Sequence, residues 1–158
     1  MGADTGSGLD ARDWAILTEL QRDGRLPVAE LGRRTGLSQE DATERLRRLE
    51  LTGVITGFHA SVDPVRVGLP VLAVVRVENP THRHQQMDRL VADRHEIVEC
   101  LWLAAESCYL VRVVASSAYH LEELASLLAQ VGAAATSVVS SVRLRGRGID
   151  TPVERRYR

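Results

Sequence analysis

Three arginines within four residues, Arg45, Arg47 and Arg48, are the most chemically pointed feature of this 158-residue chain. Every basic side chain is arginine and none is lysine. The planar guanidinium fork suits bidentate contact with a phosphate or with the O6/N7 edge of guanine. On an isolated helix such a cluster reads first as a solvated face, and the reading reverses only within a helix-turn-helix, so its meaning depends on the element that carries it. Close by, Gln39, Glu40 and Thr43 offer amide, carboxylate and hydroxyl groups of the kind that read base edges, and Arg34 adds a phosphate-type cation. Glu40 has no favourable contact with a phosphate; it accepts from a cytosine amino group or caps a helix.

A second set of polar groups falls in the other half of the chain. Glu106 lies between two apolar runs, where its carboxylate would hold an ammonium group or serve as an ordinary turn residue. Cys100 and Cys108 show no metal-type spacing and are too few for a disulfide framework; Cys108 reads as a small apolar strand residue rather than a redox sensor, and a pair with Cys100, eight residues away on the neighbouring strand, is geometrically conceivable but not expected in a reducing cytoplasm. His82 and His84 form a His-x-His with no nearby cysteine or carboxylate to complete a metal set. His59, His95 and His120 read as surface or partly buried residues, and Trp102 and Tyr109 as a sheet interface or a ligand wall. No catalytic constellation and no cofactor motif emerges.

The elements that must position these groups follow from periodicity. Trp14, Ile16, Leu17 and Leu20 recur at helical spacing between Leu9 and Asp23, ending at Gly24. A shorter helix fits Val28–Thr35, opened by Pro27, with Ala29 and Leu31 expected inward. After Gly36, Ser38 caps a third helix running to about Leu51, with Asp41 a shorter partner than the Glu of a full capping box. On that helix Ala42, Leu46 and Leu49 share one face, while Gln39, Glu40, Thr43, Glu44, Arg47 and Arg48 share the other; Arg45 leans toward the core. Two helices joined by a short Gly-containing turn, the second exposing a polar face, form the helix-turn-helix pattern. Residues 54–62 are β-rich and predict a short strand or wing.

From Asp63-Pro64 the period changes. Val71–Val77 reads as a strand and Pro80–Arg94 as a helix. Ile97–Leu103 and Tyr109–Ala115 read as two strands around a tight Ala104–Cys108 segment. A helix through Leu121, Leu124, Ala125, Leu128 and Val131, capped by Ser116 or Ser117, precedes a strand at Thr136–Leu144. The β-α-β-β-α-β order is that of a ferredoxin-like unit. Two helices would cover one sheet face, and the apolar residues of the other would need a second copy. The fold class is therefore α+β, a winged helix-turn-helix followed by a ferredoxin-like βαββαβ domain. The expected domains are a disordered start at 1–8, the helix-turn-helix domain at 9–62, a linker at 63–69, the ferredoxin-like domain at 70–144, which the resemblance below makes the effector-binding and oligomerisation domain, and a basic tail at 145–158. That tail, with Arg145, Arg147, Arg155, Arg156 and Arg158, reads as extended, embracing a neighbouring subunit or meeting DNA phosphates.

Bulk properties bound these readings. Net charge is −1, and residues 1–63 are acidic, with eight arginines against eleven acids. DNA contact must come from a focused cluster rather than a basic surface. No apolar run approaches the ~20 residues of a membrane span, and Met1–Gly8 lacks the regions of a signal peptide. A cytoplasmic, nucleoid-associated location is expected.

The motifs together resemble the Lrp/AsnC (leucine-responsive/asparagine-responsive) regulator family over roughly Leu9–Gly148. The matching strings are Leu9-Asp10, Ile16-Leu17-x-x-Leu20-Gln21-x-Asp23-Gly24-Arg25, Leu31-Gly32-x-x-Thr35-Gly36-Leu37-Ser38, Glu44-Arg45-Leu46-Arg47-Arg48-Leu49-Glu50-x-x-Gly53-Val54-Ile55-x-Gly57-Phe58 and Glu99-Cys100. The resemblance implies a transcription regulator that binds double-stranded DNA. It also implies a RAM-type second domain, homodimers assembling to tetramers or octamers, and a small-molecule effector, usually an amino acid, bound between dimers. It places the effector at Leu103, Ala104, Ala105, Glu106, Ser107, Cys108 and Tyr109, with Thr136 and Val138. The sequence departs from the family there. Ala105 stands where a flexible Gly is usual and disfavours positive φ; Cys108 replaces a carboxylate, and Thr136-Ser137-Val138 loses a hydroxyl. Two alternatives follow: an architectural DNA-binding protein that senses nothing, and a sirohaem-decarboxylase-like enzyme on the same fold, against which stands the lack of a histidine cluster in the sensing-domain strands.

Overall fold

The computed structural model describes residues 8–78, 83–144 and 146–150. The chain divides into two compact units: one formed by residues up to Ala60 together with those from Leu144 onward, the other by Ser61–Arg143.

The first unit is built on α1 (Ala11–Arg22), α2 (Val28–Thr35) and α3 (Gln39–Leu51). A reciprocal capping box starts α1. The Asp10 carboxylate accepts the Asp13 N–H at 2.8 Å, and the Asp13 carboxylate accepts the Asp10 N–H at 3.0 Å, which satisfies two donors left unpaired at a helix start. The Asp10-x-x-Asp13 spacing is itself a local sequence signal of a helix start. Ile16, Leu17, Leu20, Leu31 and Leu49 form the core, with Trp14, Leu26, Leu37, Leu46 and Ile55 packed around it. The helices approach closely because Gly32 faces the turn: a Cβ there would lie 2.9 Å from the Leu37 carbonyl.

Two expectations for this unit fail. Ala29 is exposed and only Leu31 points inward; two residues apart on a helix lie about 200° apart, so both cannot share a narrow buried stripe. Residues 54–62 carry no strand, because no other strand of this unit is available to form a ladder with them. Ile55 instead donates its N–H to the Leu49 carbonyl and packs on the helices.

The second unit opens with a 3-10 turn at Val65–Val67 and continues as β1 (Val71–Glu78), α4 (His84–Asp93), β2 (Ile97–Leu103), β3 (Cys108–Ala115), α5 (Ala118–Ala129) and β4 (Ala133–Val138). The strands form one antiparallel sheet in the order β2-β3-β1-β4, the βαββαβ arrangement read from the sequence. Ala73, Val75, Val77, Tyr109, Val111 and Val113 alternate onto one face and pack with Met87, Leu121, Leu124, Leu128 and Val131. The opposite face carries Leu72, Val74, Leu101, Leu103 and Leu110 beside the ion pairs Arg76–Glu78 and Arg112–Glu99.

Boundaries shift for physical reasons. Of the two serines weighed as the α5 cap, Ser117 takes the role, its hydroxyl accepting the His120 N–H at 3.1 Å. Strand β4 lies at Ala133–Val138 rather than Thr136–Leu144: its ladder runs from Glu78 opposite Ala133 to Ala73 opposite Val138, Val139 adds one further bond from its N–H to the Leu72 carbonyl at 2.8 Å, and β1 begins at Val71, so β1 ends before it could pair with residues 141–144. Helix α4 starts at His84; residues 79–82, including His82, lie outside the described segments.

A candidate nucleic-acid interface and an effector loop

The polar face expected of α3 is exposed. Gln39, Glu40, Thr43, Glu44, Arg47 and Arg48 all face solvent, while Ala42 and Leu49 are buried beneath them. The Ser38 hydroxyl caps the helix by accepting the Asp41 N–H at 3.0 Å. The Asp41 carboxylate returns to that hydroxyl at 2.7 Å, so the motif is not reciprocal with the backbone. Thr43 donates its hydroxyl to the Gln39 carbonyl at 2.7 Å.

The arginines divide into two groups. Asp13, wholly buried, accepts from Arg45 at 2.9 Å and from Arg48 at 2.5 Å, and Asp10 takes a second contact from Arg45 at 2.7 Å. The start of α1 therefore holds the middle of α3 by charge-assisted hydrogen bonds. The reading of Arg45 as turned inward agrees with this geometry. Arg34 reaches Glu30 at 2.8 Å and Glu19 at 3.1 Å, while Arg33 grips Glu30. Under these two guanidiniums, Arg33 first and then Arg34, the Glu30 carboxyl falls from 4.5 to about 2. The Asp10 carboxyl is lowered by the Asp13 N–H and then by Arg45. Among the described residues of this unit the guanidiniums of Arg12, Arg25, Arg47 and Arg147 have no carboxylate partner, and Arg47 alone of these stands on α3. An open groove beside α3 is lined by Asp10, Asp41 and Glu44 as well as Arg45, Arg47 and Arg48; its charges balance, so it is not an anion pocket.

In the second unit, Ala104–Glu106 forms a 3-10 turn between β2 and β3. The left-handed backbone falls on Ser107, at φ +47°, and Ala105 stays right-handed within the turn. The loss of a glycine at Ala105 thus carries no strain in this loop. Glu106 is already engaged, accepting from Arg76 at 3.1 Å with the Cys108 thiol 3.8 Å away. Tyr109 and Trp102 lie opposite each other across β3 and β2 with ring centroids 4.7 Å apart, and the Tyr109 hydroxyl meets His84 Nδ1 at 2.6 Å. Burial pushes the Tyr109 hydroxyl up, with Asp88 adding to it.

The structure does not gather every predicted effector residue. Leu103–Tyr109 forms one cluster, whereas Thr136 and Val138 sit on β4, opposite Val75 and Ala73. Strands β3 and β4 flank β1, about 10 Å apart at ordinary strand spacing. The two cysteines cannot pair: Cys100 faces the helices opposite Val111, while Cys108 faces the other side opposite Leu103. Sequence reasoning missed the Asp13 hub, the Arg76–Glu106 pair and the His84–Trp102–Tyr109 cluster, since each joins residues distant in the chain.

A helix-turn-helix with an exposed polar second helix, followed by a separate βαββαβ domain, defines a DNA-binding protein with a distinct ligand-binding module. Residues 9–50 match the AsnC-type helix-turn-helix domain, and residues 72–149 match the Lrp/AsnC ligand binding domain. The chain belongs to the Lrp/AsnC family of transcriptional regulators. It is 31% identical to the HTH-type transcriptional regulator LrpC of Bacillus subtilis over 84% of this chain and 92% of that one. It is 38% identical to the proline dehydrogenase transcriptional activator of Rhodobacter capsulatus, over 66% of this chain and 70% of that protein. Among solved structures, LrpC superposes with a TM-score of 0.80 at 30% identity, covering 91% of this chain and 99% of that chain. A Neisseria meningitidis transcriptional regulator in complex with L-Met superposes with a TM-score of 0.81 at 28% identity, covering 89% and 96%.

Proposed function

We propose that α3 is the recognition helix, entering the major groove with Ser38, Gln39, Glu40, Thr43 and Arg47 foremost. The observation that carries this is the exposure of those side chains on a helix whose other face is locked into the core. Gln39 suits adenine and Arg47 suits guanine or a phosphate; Thr43, its hydroxyl given to the Gln39 carbonyl, offers a methyl to thymine. Arg34 and Arg48, steadied by Glu30, Glu19 and Asp13, turn their remaining N–H groups to phosphates. Two copies, paired through the apolar sheet face, would set recognition helices roughly 34 Å apart on a near-palindromic site, and dimers would assemble further on the nucleoid.

The Leu103–Tyr109 loop is read as the effector site, with Thr136 and Val138 contributing, and its ligand as an amino acid or a related metabolite. The L-Met complex of the Neisseria relative supports that class. The ligand would act by binding one assembly state better than another, without catalysis. The Arg76–Glu106 pair favours a second reading, an architectural regulator that senses no amino acid, because it occupies the carboxylate an ammonium would need. The test has two parts. Arg47→Ala should weaken binding of a selected duplex and flatten its salt dependence; unchanged binding would overturn the assignment of α3. Calorimetry with an amino-acid panel should give saturable binding by at least one member, and silence throughout would favour the architectural reading.

A further inference from the structure

Residues 146–150 do not trail away from the DNA-binding unit. The Gln21 side-chain amide donates to the Ile149 carbonyl at 2.8 Å and accepts the Ile149 N–H at 2.6 Å, so one side chain takes both backbone groups of a residue 128 positions later. Two glycines suit the approach. Gly146 adopts φ +51°, and a Cβ on Gly148 would press on Gln21 at 3.2–3.3 Å. Between them stands Arg147, exposed and without an acidic partner among the described residues.

Charge gives this return a consequence. Residues 1–60 hold eight arginines against ten acids, and five of those arginines are spent on internal ion pairs. From Arg145 onward the sequence holds five arginines against Asp150 and Glu154, which reverses the balance of the unit. We propose that residues 146–150 are a returning arm of the DNA-binding unit, clasped to α1 by Gln21, and that Arg147 supplies a DNA phosphate contact. This rests on the reading of that unit as the DNA-binding one.

The test uses full-length wild type, Arg147→Ala, Gln21→Ala and Arg47→Ala, titrated with a target duplex and a scrambled one across a salt series. Alanine is a stronger helix former than glutamine, so Gln21→Ala keeps α1. Arg147→Ala should weaken both duplexes by the same factor and reduce the slope of log affinity against log salt by about 0.9. Gln21→Ala should expose the Ile149 amide to rapid hydrogen exchange and lower the same slope. An unchanged slope in Arg147→Ala, with Arg47→Ala weakened, would overturn the arm and leave the recognition helix standing. Unchanged binding in both arginine variants would overturn the reading of α3 as well. Rapid exchange of Ile149 in the wild type would dispose of the clasp itself.

Discussion

Asp13→Ala tests the claim that a single buried carboxylate couples α1 to α3. The substitution removes the acceptor for the Asp10 N–H at 3.0 Å, for Arg45 at 2.9 Å and for Arg48 at 2.5 Å. A hydrogen bond to a charged group contributes roughly 1.5–3 kcal/mol when its loss leaves a buried group unpaired. Here the full sum is not lost. The Arg45 and Arg48 side chains are 24% and 49% exposed, so both guanidiniums regain water, and Asp10 still accepts from Arg45. The Asp10 N–H loses one half of a capping box, worth about 1 kcal/mol. Together these give about 3 kcal/mol.

For a unit of this size each kcal/mol moves the midpoint by about 4–8 °C, so the transition of the DNA-binding unit should fall by roughly 15 °C, read by circular dichroism at matched protein concentration. Asp13→Asn, which keeps the shape and one acceptor, should fall about half as far. A double-mutant cycle of Asp13→Ala with Arg48→Ala should show a coupling of about 1 kcal/mol, since the two groups share one contact. A loss below about 1 kcal/mol for Asp13→Ala, or strict additivity in the cycle, would refute the hub.

Gly132→Ala should be among the most disruptive small substitutions in the ligand-binding domain, because the added Cβ would sit 2.3 Å from the Glu78 carbonyl oxygen; a melting temperature unchanged from wild type would show that β1 and β4 can part there without cost. Acid should weaken the DNA-binding unit in a defined window. The Glu30 and Asp10 carboxyls are both depressed in the folded chain, so their contribution is fully present above the ordinary carboxylate range and is lost as pH falls through the folded values. For Glu30 that window runs from 4.5 down to about 2. Carboxyl NMR should place its midpoint near the lower figure, and titration near 4.5 would mean that Arg33 and Arg34 do not hold it.

Helix α2 and strand β2 were readable from sequence to the residue, and α3 to its caps, because apolar spacing and Ser38, Gly36 and Gly53 are local signals. Strand β4 was misplaced because its bounds are set by β1, its partner, and not by its own composition: Ala133–Ala135 has little strand propensity yet pairs with Glu78, Val77 and Arg76. The same reason accounts for the absence of the expected wing, since a strand needs a ladder and residues 54–62 pair with none. At the interface, exposure of Gln39, Glu40, Thr43 and Arg47 was legible from the helical period. Which arginines were engaged was not, because Asp13 lies 32 and 35 residues before its partners. Glu106 posed the same problem, its partner Arg76 being 30 residues earlier.

The division among the arginines bears on how an acidic domain can bind DNA. Non-specific affinity grows with the number of phosphates neutralised, and ion pairs with Glu19, Glu30, Asp10 and Asp13 withdraw Arg22, Arg33, Arg34, Arg45 and Arg48 from that purpose in whole or part. A lone domain with Arg47 as the unpaired cation on α3 is poorly supplied for holding the duplex. The pairs of Arg45 and Arg48 with Asp10 and Asp13, however, fix α3 against the start of α1 and would lower the entropy lost if the exposed side chains of α3 dock on bases. Binding of this kind gains most from repetition: linking two such domains turns the second contact into an intramolecular event with a high effective concentration. If the chain assembles as proposed, its affinity would rest on that assembly, and a ligand that shifted assembly would shift DNA occupancy with no need for a change within the helix-turn-helix itself.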